Sequence, residues 1–109
     1  MSDDQEFLKN VLQVIEKRLG DEKFNVKELS REVGISRAQL YRKLQMMQNL
    51  PANELIRAAR MQRAATLLQQ TRLSISEVAY RVGFGSPAYF TQCFHQAFGA
   101  TPSQFRKKS

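Results

Sequence analysis

The chain is poor in the residues that build disulfides, metal sites and membrane spans. Its 109 residues include one cysteine, Cys93, and one histidine, His95. A single cysteine excludes an intrachain disulfide and a cysteine-rich metal site, and a lone histidine is likewise not expected to form a metal site. Cys93 lies in an apolar stretch, so we expect a packed thiol rather than a reactive one.

Long apolar runs are also missing. None approaches the roughly 18–20 residues of a membrane-spanning helix, and the N-terminus lacks the charged-then-apolar order of a signal peptide. We therefore expect a cytoplasmic protein with no membrane partner.

Catalytic patterns are lacking as well. The sequence contains no paired carboxylates in a catalytic arrangement, no nucleophile–base pair and no glycine-rich phosphate loop. These absences predict that the protein is not an enzyme and needs no cofactor.

Positive charge is what the chain has in excess. Its formal net charge is +7, and its isoelectric point is near 10.0. Residues 1–24 hold six acids and four bases (net −2), whereas residues 25–109 hold four acids and thirteen bases (net +9). A basic module behind an acidic leader is typical of a polyanion-binding surface, although charge alone fits a merely solvated basic surface equally well.

One stretch, residues 74–105, predicts a short helix, a tight turn and a second helix. Ser74 and Glu77 have the spacing of a capping box, and Gly83 stands where a helix needs a left-handed residue at its end. Ser86 and Pro87 can cap and open the next helix. The apolar side of that helix is predicted to contain Tyr89, Phe90, Phe94 and Phe98. This is the helix-turn-helix pattern, whose second helix enters a DNA major groove.

The same pattern occurs earlier in the chain. Asn25 and Glu28 form another cap pattern, Gly34 marks a turn, and Ser36 starts a helix with Leu40, Leu44 and Met47 inward. That helix turns Arg37, Tyr41, Arg42 and Gln45 outward. The two copies align at an offset of 49 up to the turn and of 50 after it (Ser36 with Ser86), so the second turn contains one extra residue near Gly85.

The remaining periodicity predicts an all-α fold of about seven helices. Residues 1–5 are a solvated leader, and the apolar rhythm of Phe7–Leu19 predicts a helix that covers a core. We expect a first helix-turn-helix subdomain over residues 6–50, a connecting helix over 51–70 and a second subdomain with a basic tail over 71–109. Arg60 and Arg81 are expected to tie helices together.

These residues resemble the DNA-binding domain of the AraC/XylS family of bacterial transcription regulators. The similarity is most specific in the second copy, and its residues are Ile75, Ser76, Glu77, Val78, Ala79, Val82, Gly83, Phe84, Tyr89, Phe90, Phe94, Phe98, Gly99, Thr101, Pro102, Phe105 and Arg106. The length and the leading helix are similar to the C-terminal output domain of hybrid two-component regulators.

The resemblance implies a sequence-specific double-stranded DNA-binding regulator that reads two successive major-groove segments of a promoter. It also implies activation through contact with RNA polymerase, and sensor or receiver domains that are absent from this sequence.

The outward residues of the two second helices match the base-contacting positions of the family. They are Arg37, Ala38, Tyr41 and Arg42 in the first copy and Pro87, Ala88, Thr91 and Gln92 in the second. Arginine can bond guanine with two hydrogen bonds, alanine can contact a thymine methyl group, and glutamine can read adenine. The small residues of the second helix predict that it reads fewer bases and depends more on phosphate contacts and DNA shape.

Phosphate contacts are expected at helix starts and at nearby bases. The starts are Ser36, Ser86 and Thr101, and the side-chain partners are Lys43, Arg57, Arg106 and Lys107.

Two alternatives remain at this point. A non-specific basic DNA-binding protein would show a steep salt dependence and little sequence preference. A helical adaptor that binds protein would expose apolar residues on the two recognition helices, where this sequence places polar ones.

Overall fold

The computed structural model describes residues 3–108, apart from the side chain of Gln48. Within that range the chain forms α-helices and no strand, which confirms the expected all-α fold. The helices are α1 (Asp3–Arg18), α2 (Val26–Val33), α3 (Arg37–Gln48), α4 (Ala52–Gln70), α5 (Ile75–Arg81), α6 (Pro87–Phe98) and α7 (Pro102–Lys107).

The chain divides into two compact units. The first contains the chain up to Leu19 and Phe24–Ala59, and the second contains Gly20–Lys23 and the chain from Arg60 onward. The boundary therefore falls inside α4, within the predicted connecting helix 51–70. Each unit holds one of the two predicted helix-turn-helix motifs.

The first unit packs α1, α2 and α3 around an aliphatic core. Its buried apolar side chains are Val11, Ile15, Leu19, Phe24, Leu29, Leu40, Leu44, Ala52, Leu55 and Ile56. The guanidinium of Arg18 lies 5.2 Å from the ring centroid of Phe24 and contacts the carboxylate of Glu32. These contacts attach the end of α1 to α2.

Helix α1 begins earlier than the apolar rhythm predicts. Its first turn contains Asp3, Asp4 and Glu6, so the helix takes in residues 3–5 of the predicted leader, while Met1 and Ser2 lie outside the described residues. Acidic side chains in the first turn interact favourably with the positive end of the helix dipole. The first turn of α1 is thus favoured by its acidic residues, and the apolar periodicity begins only after it.

The second unit has an aromatic core. Its buried apolar side chains are Met61, Ala64, Ala65, Leu68, Val78, Ala79, Val82, Phe84, Phe90, Cys93 and Phe94. The ring of Phe94 lies 5.8 Å from Phe90, 4.5 Å from Phe98 and 5.2 Å from Phe105, measured between centroids. Phe94 thereby joins α6 to α7, and Cys93 is the packed thiol that the sequence predicts.

Reciprocal capping boxes start three of the helices. Ser36 and Gln39, Ser74 and Glu77, and Thr101 and Gln104 each exchange two hydrogen bonds between side chain and backbone. At α2, Asn25 Oδ1 accepts from the Glu28 N–H at 3.0 Å, and the Glu28 carboxylate lies 3.6 Å from Arg31. The predicted caps are therefore present, and that of α2 uses the asparagine side chain.

The structure corrects three predicted orientations. Tyr89 and Phe98 are 53% and 38% exposed although both were expected on the apolar side of α6, and Gln45 is half-buried although it was expected outward. Met61, for which no orientation was predicted, is buried at 4% exposure. Within the described part of the chain, no helix is long and apolar enough to cross a membrane.

We expect Ser74→Ala to lower the free energy of unfolding by about 1 kcal/mol, because the Glu77 N–H loses its side-chain acceptor. Urea denaturation followed by circular dichroism measures this change. Ser76→Ala is the matched control, since Ser76 lies exposed on the same helix and is not its cap. Equal losses in the two variants would contradict a capping role for Ser74.

Candidate nucleic-acid interface

In the first unit, a left-handed turn directs α3 away from α2. Gly34 has a φ of 88°, and its N–H donates to Ser30 O at 2.9 Å. The Ile35 N–H donates to the same carbonyl at 3.1 Å. A side chain at Gly34 would be strained by this backbone conformation although the space around it is open. Two residues later Ser36 starts α3.

Helix α3 is anchored on one side and exposed on the other. Leu40 and Leu44 are fully buried, at 0% exposure. The four predicted base-contacting residues of α3 are all exposed: Arg37, Ala38, Tyr41 and Arg42. The apolar anchors hold the helix while two guanidinium groups and a phenol extend into solvent.

The predicted phosphate partners of the first unit, Lys43 and Arg57, differ in how far their side chains are exposed. Lys43 is exposed, and its Nζ lies 4.8 Å from the ring centroid of Phe7, a cation–π distance. Arg57 is half-buried on α4. The ammonium group of Lys43 is thus held against the ring of Phe7, whereas part of Arg57 is packed against the protein.

The second unit repeats the turn with one more residue. Gly83 has a φ of 89°, and the Phe84 N–H donates to Ala79 O at 2.9 Å. Phe84 is buried with its ring centroid 5.4 Å from that of Phe90. Ser86 Oγ then accepts from the Tyr89 N–H at 3.2 Å and starts α6.

The outward side of α6 is less exposed than that of α3, and it is uncharged. Ala88 and Gln92 are exposed, whereas Pro87 and Thr91 are half-buried. No Asp, Glu, Lys or Arg occurs in Pro87–Phe98. The basic charge of the second unit lies on its other elements.

Charge is unequally shared between the units. The first has nine bases and seven acids (net +2), and the second has eight bases and three acids (net +5). The more basic unit therefore contains the recognition helix without charged side chains.

Among the predicted phosphate partners near the C-terminus, Lys107 is exposed but Arg106 is half-buried. Arg106 Nε donates to Leu68 O at 3.0 Å, and its Nη2 is buried without a hydrogen-bond partner among the described residues. Leu68 lies in the last turn of α4, where carbonyl groups lack helical donors. The contact gives Arg106 a structural role that local sequence does not reveal.

Arg60 has a structural role, but its hydrogen bond ties α4 to the loop after α1 and not to another helix. Its Nη2 donates to Asp21 O at 3.0 Å. Burial lowers the pKa of Arg60, and the nearby carboxylates of Asp21 and Glu22 partly offset that effect. Arg81, in contrast, is exposed at the end of α5.

Met46 is an outward residue that the sequence reading missed. It is 86% exposed, the most exposed of the large apolar side chains in the described range. It lies four residues after Arg42 on α3, and residues four apart share a helix face. Helical spacing from Arg42 could therefore have identified it as part of the same surface.

In the described part of the chain, no group of three or more His, Cys, Asp or Glu residues could hold a metal ion. The exposed groups on α3 and α6 are instead donors, acceptors and small apolar surfaces of the kinds that meet base edges.

A family model described as a helix-turn-helix domain matches residues 29–108. Among curated proteins, a histidine kinase of Formosa agariphila is 39% identical over 105 residues, covering 96% of this chain and 8% of the kinase. The Msm operon regulatory protein of Streptococcus mutans is 32% identical over 102 residues, covering 94% of this chain and 36% of the regulator. The chain thus spans a minor part of the length of these relatives.

Solved structures share the fold. The C-terminal domain of AraT, a response regulator from Geobacillus stearothermophilus, has a TM-score of 0.91 at 28% identity and covers 99% of this chain and 89% of that domain. A Chromobacterium violaceum regulator with an AraC-type DNA-binding domain has a TM-score of 0.88 at 28% identity, covering 95% and 92%. The DNA-binding domain of AdpA, solved with a target DNA, has a TM-score of 0.85 at 26% identity, covering 93% and 90%.

The Arg106 contact predicts a stability defect. We expect Arg106→Ala to lower the free energy of unfolding by about 1.5–3 kcal/mol, because a charged hydrogen bond to the Leu68 carbonyl is lost. Urea denaturation provides the measurement. Lys107→Ala removes the same charge from an exposed neighbour and is expected to leave stability within about 0.5 kcal/mol of the original. An Arg106→Ala variant as stable as Lys107→Ala would show that the contact contributes little.

Proposed function

Because the chain belongs to the AraC/XylS family of helix-turn-helix DNA-binding domains, we propose that it binds promoter DNA sequence-specifically through two major-groove readers. The observation that carries this proposal is the pair of recognition helices, each anchored by fully buried apolar residues and each with exposed polar residues; the anchors are Leu40 and Leu44 in α3 and Phe90 and Phe94 in α6. Such a helix can enter the groove without losing its packing.

Helix α3 is the stronger reader in this proposal. Arg37 and Arg42 are exposed and can each donate two hydrogen bonds to guanine O6 and N7. Tyr41, 56% exposed, contacts a phosphate or a pyrimidine edge, and Ala38 contacts a thymine methyl group. The first half-site is therefore expected to contain guanine.

Helix α6 reads with uncharged groups. Gln92 is the outward residue best suited to adenine, since its amide can both donate to N7 and accept from N6. Thr91 is half-buried and can present its hydroxyl or methyl group, while Pro87 and Ala88 offer only apolar contact. This second reader is expected to contribute less base discrimination than α3.

Phosphates are bound at the starts of α3, α6 and α7, where backbone N–H groups are unpaired by the helix. Ser36, Ser86 and Thr101 mark these starts, and Lys43, Arg57 and Lys107 provide positive charge. Arg106 donates a hydrogen bond to α4, so it adds positive charge near the phosphates without leaving that contact.

The relatives support a regulatory context. One curated relative is named a histidine kinase and another an operon regulatory protein, and one structural relative is the C-terminal domain of a response regulator. We propose that this chain is the DNA-binding output domain of a cytoplasmic two-component regulator, linked to sensor or receiver domains. Activation by contact with RNA polymerase is part of the same proposal.

Non-specific DNA binding is the second candidate. The net charge of +5 on the second unit, with an uncharged α6, favours attraction to any duplex. The two candidates differ in whether base identity changes affinity at a fixed salt concentration.

Selection from a random duplex pool at about 150 mM salt separates the two, because non-specific binding weakens there. We expect two short motifs about 10 bp apart in direct orientation. Binding that recovers no motif and disappears as salt rises would refute the sequence-specific proposal and leave the non-specific one.

Arg42→Ala is expected to erase preference in one half-site only, at a cost of about 1–3 kcal/mol of base discrimination. Repeating the selection with the variant measures the change. Arg31→Ala is the matched control, because Arg31 is an exposed base of α2 in the same unit, outside the recognition helix. Loss of the same preference in both variants would assign the effect to charge rather than to base reading.

A further inference from the structure

The segment Gly20–Lys23 is packed within the second unit. A β-carbon on Gly20 would lie 2.9 Å from Arg81 O, so a larger residue there would clash with the backbone. Arg60 Nη2 donates to Asp21 O at 3.0 Å, and the Lys23 N–H donates to Asp21 Oδ1 at 2.9 Å. The position of Glu22 in this segment is therefore defined by contacts on both sides of it.

Glu22 places its carboxylate against the turn that precedes α6. A β-carbon on Gly85 would overlap Glu22 Oε2 and would lie 3.2 Å from Oε1. Gly85 is the extra residue of the second turn, and it immediately precedes Ser86, the N-cap of α6. Gly85 has no counterpart in the first turn, where Ile35 is followed directly by Ser36.

Helix α6 itself contains no Asp, Glu, Lys or Arg, so the carboxylate of Glu22 is an acidic group supplied to its start by another segment. Glu22 is exposed between Asp21 and Lys23 of its own segment, and its carboxylate interacts electrostatically with the partly buried Arg60 of α4. Arg60 uses one donor on the Asp21 backbone. A negative side chain thus lies beside the first turn of the recognition helix that the proposed function brings close to a phosphate.

We propose that Glu22 restrains DNA binding by the second unit: its carboxylate repels the backbone phosphate that approaches the start of α6. This proposal rests on the proposed function, since it names a residue that tunes the same surface. The repulsion acts on duplexes of any sequence, because every duplex presents a phosphate there. It offsets part of the attraction that the eight basic residues of this unit provide, and so limits retention on unrelated DNA.

Glu22→Gln tests the restraint in the whole chain, with affinity measured by fluorescence anisotropy on a selected duplex and on an unrelated duplex. We expect affinity for both to rise about three- to tenfold at 50 mM salt, as expected for the removal of one repulsive charge near a phosphate in a largely aqueous setting. The gain is expected to shrink at 200 mM salt, since salt screens exposed charges. Glu22→Lys is expected to increase affinity further.

Glu6→Gln is the matched control, because it makes the same change in net charge in the first turn of α1. Thermal unfolding of each variant checks that the fold is kept. A purely structural Glu22 would give Glu22→Gln an unchanged or weaker affinity with a lower melting temperature, and either result would overturn the proposal. Gains of equal size in Glu22→Gln and Glu6→Gln would also overturn it. If the original chain binds neither duplex, the proposed function itself fails, which is a distinguishable outcome.

Discussion

The left-handed backbone at Gly34 and Gly83 is the constraint on which both motifs depend. With φ of 88° and 89°, these residues end one helix and send the chain towards the next within a few residues. A residue with a β-carbon would be strained at such angles, so the turn geometry is tied to glycine. Because the turn fixes where the next helix begins, it also decides which side of α3 or α6 meets the core.

The helices on either side of these turns are too short to be stable alone. Helices α2 and α5 have eight and seven residues, and isolated helices below about 12–15 residues are marginal in water. Their stability therefore depends on caps and on packing. Leu29 is fully buried in α2, and Val78 and Ala79 are fully buried in α5. Each recognition helix therefore packs against a short helix, α2 or α5, whose own stability depends on its buried residues.

Local chemistry explains what the sequence could predict. A serine or threonine three residues before a glutamate or glutamine, a glycine at a helix end and apolar residues at helical spacing act within one or two turns, so caps, turns and most buried positions were predictable. The start of α1 was not, because its first turn is polar. The same local rules place the four outward residues of α3, which the structure exposes.

Contacts between distant residues explain what the sequence could not predict. Arg106 and Leu68 are 38 residues apart, and a basic residue near a helix C-terminus is equally consistent with a phosphate or a carbonyl partner until the fold is known. Helical spacing also did not predict that Gln45 is half-buried and that Tyr89 is exposed. Base contacts remain predictions, because they depend on a partner that the sequence does not contain.

The two copies show that the same left-handed turn can precede recognition helices with different charges. Both use a left-handed glycine and a serine cap, yet the first leads into a helix with exposed arginines and the second into a helix without Asp, Glu, Lys or Arg. The extra residue of the second turn is a glycine, and its missing side chain leaves the space that the Glu22 carboxylate occupies. A side chain at that position would have to displace the carboxylate. The inserted glycine that distinguishes the two copies therefore makes room for a negatively charged group beside the second recognition helix.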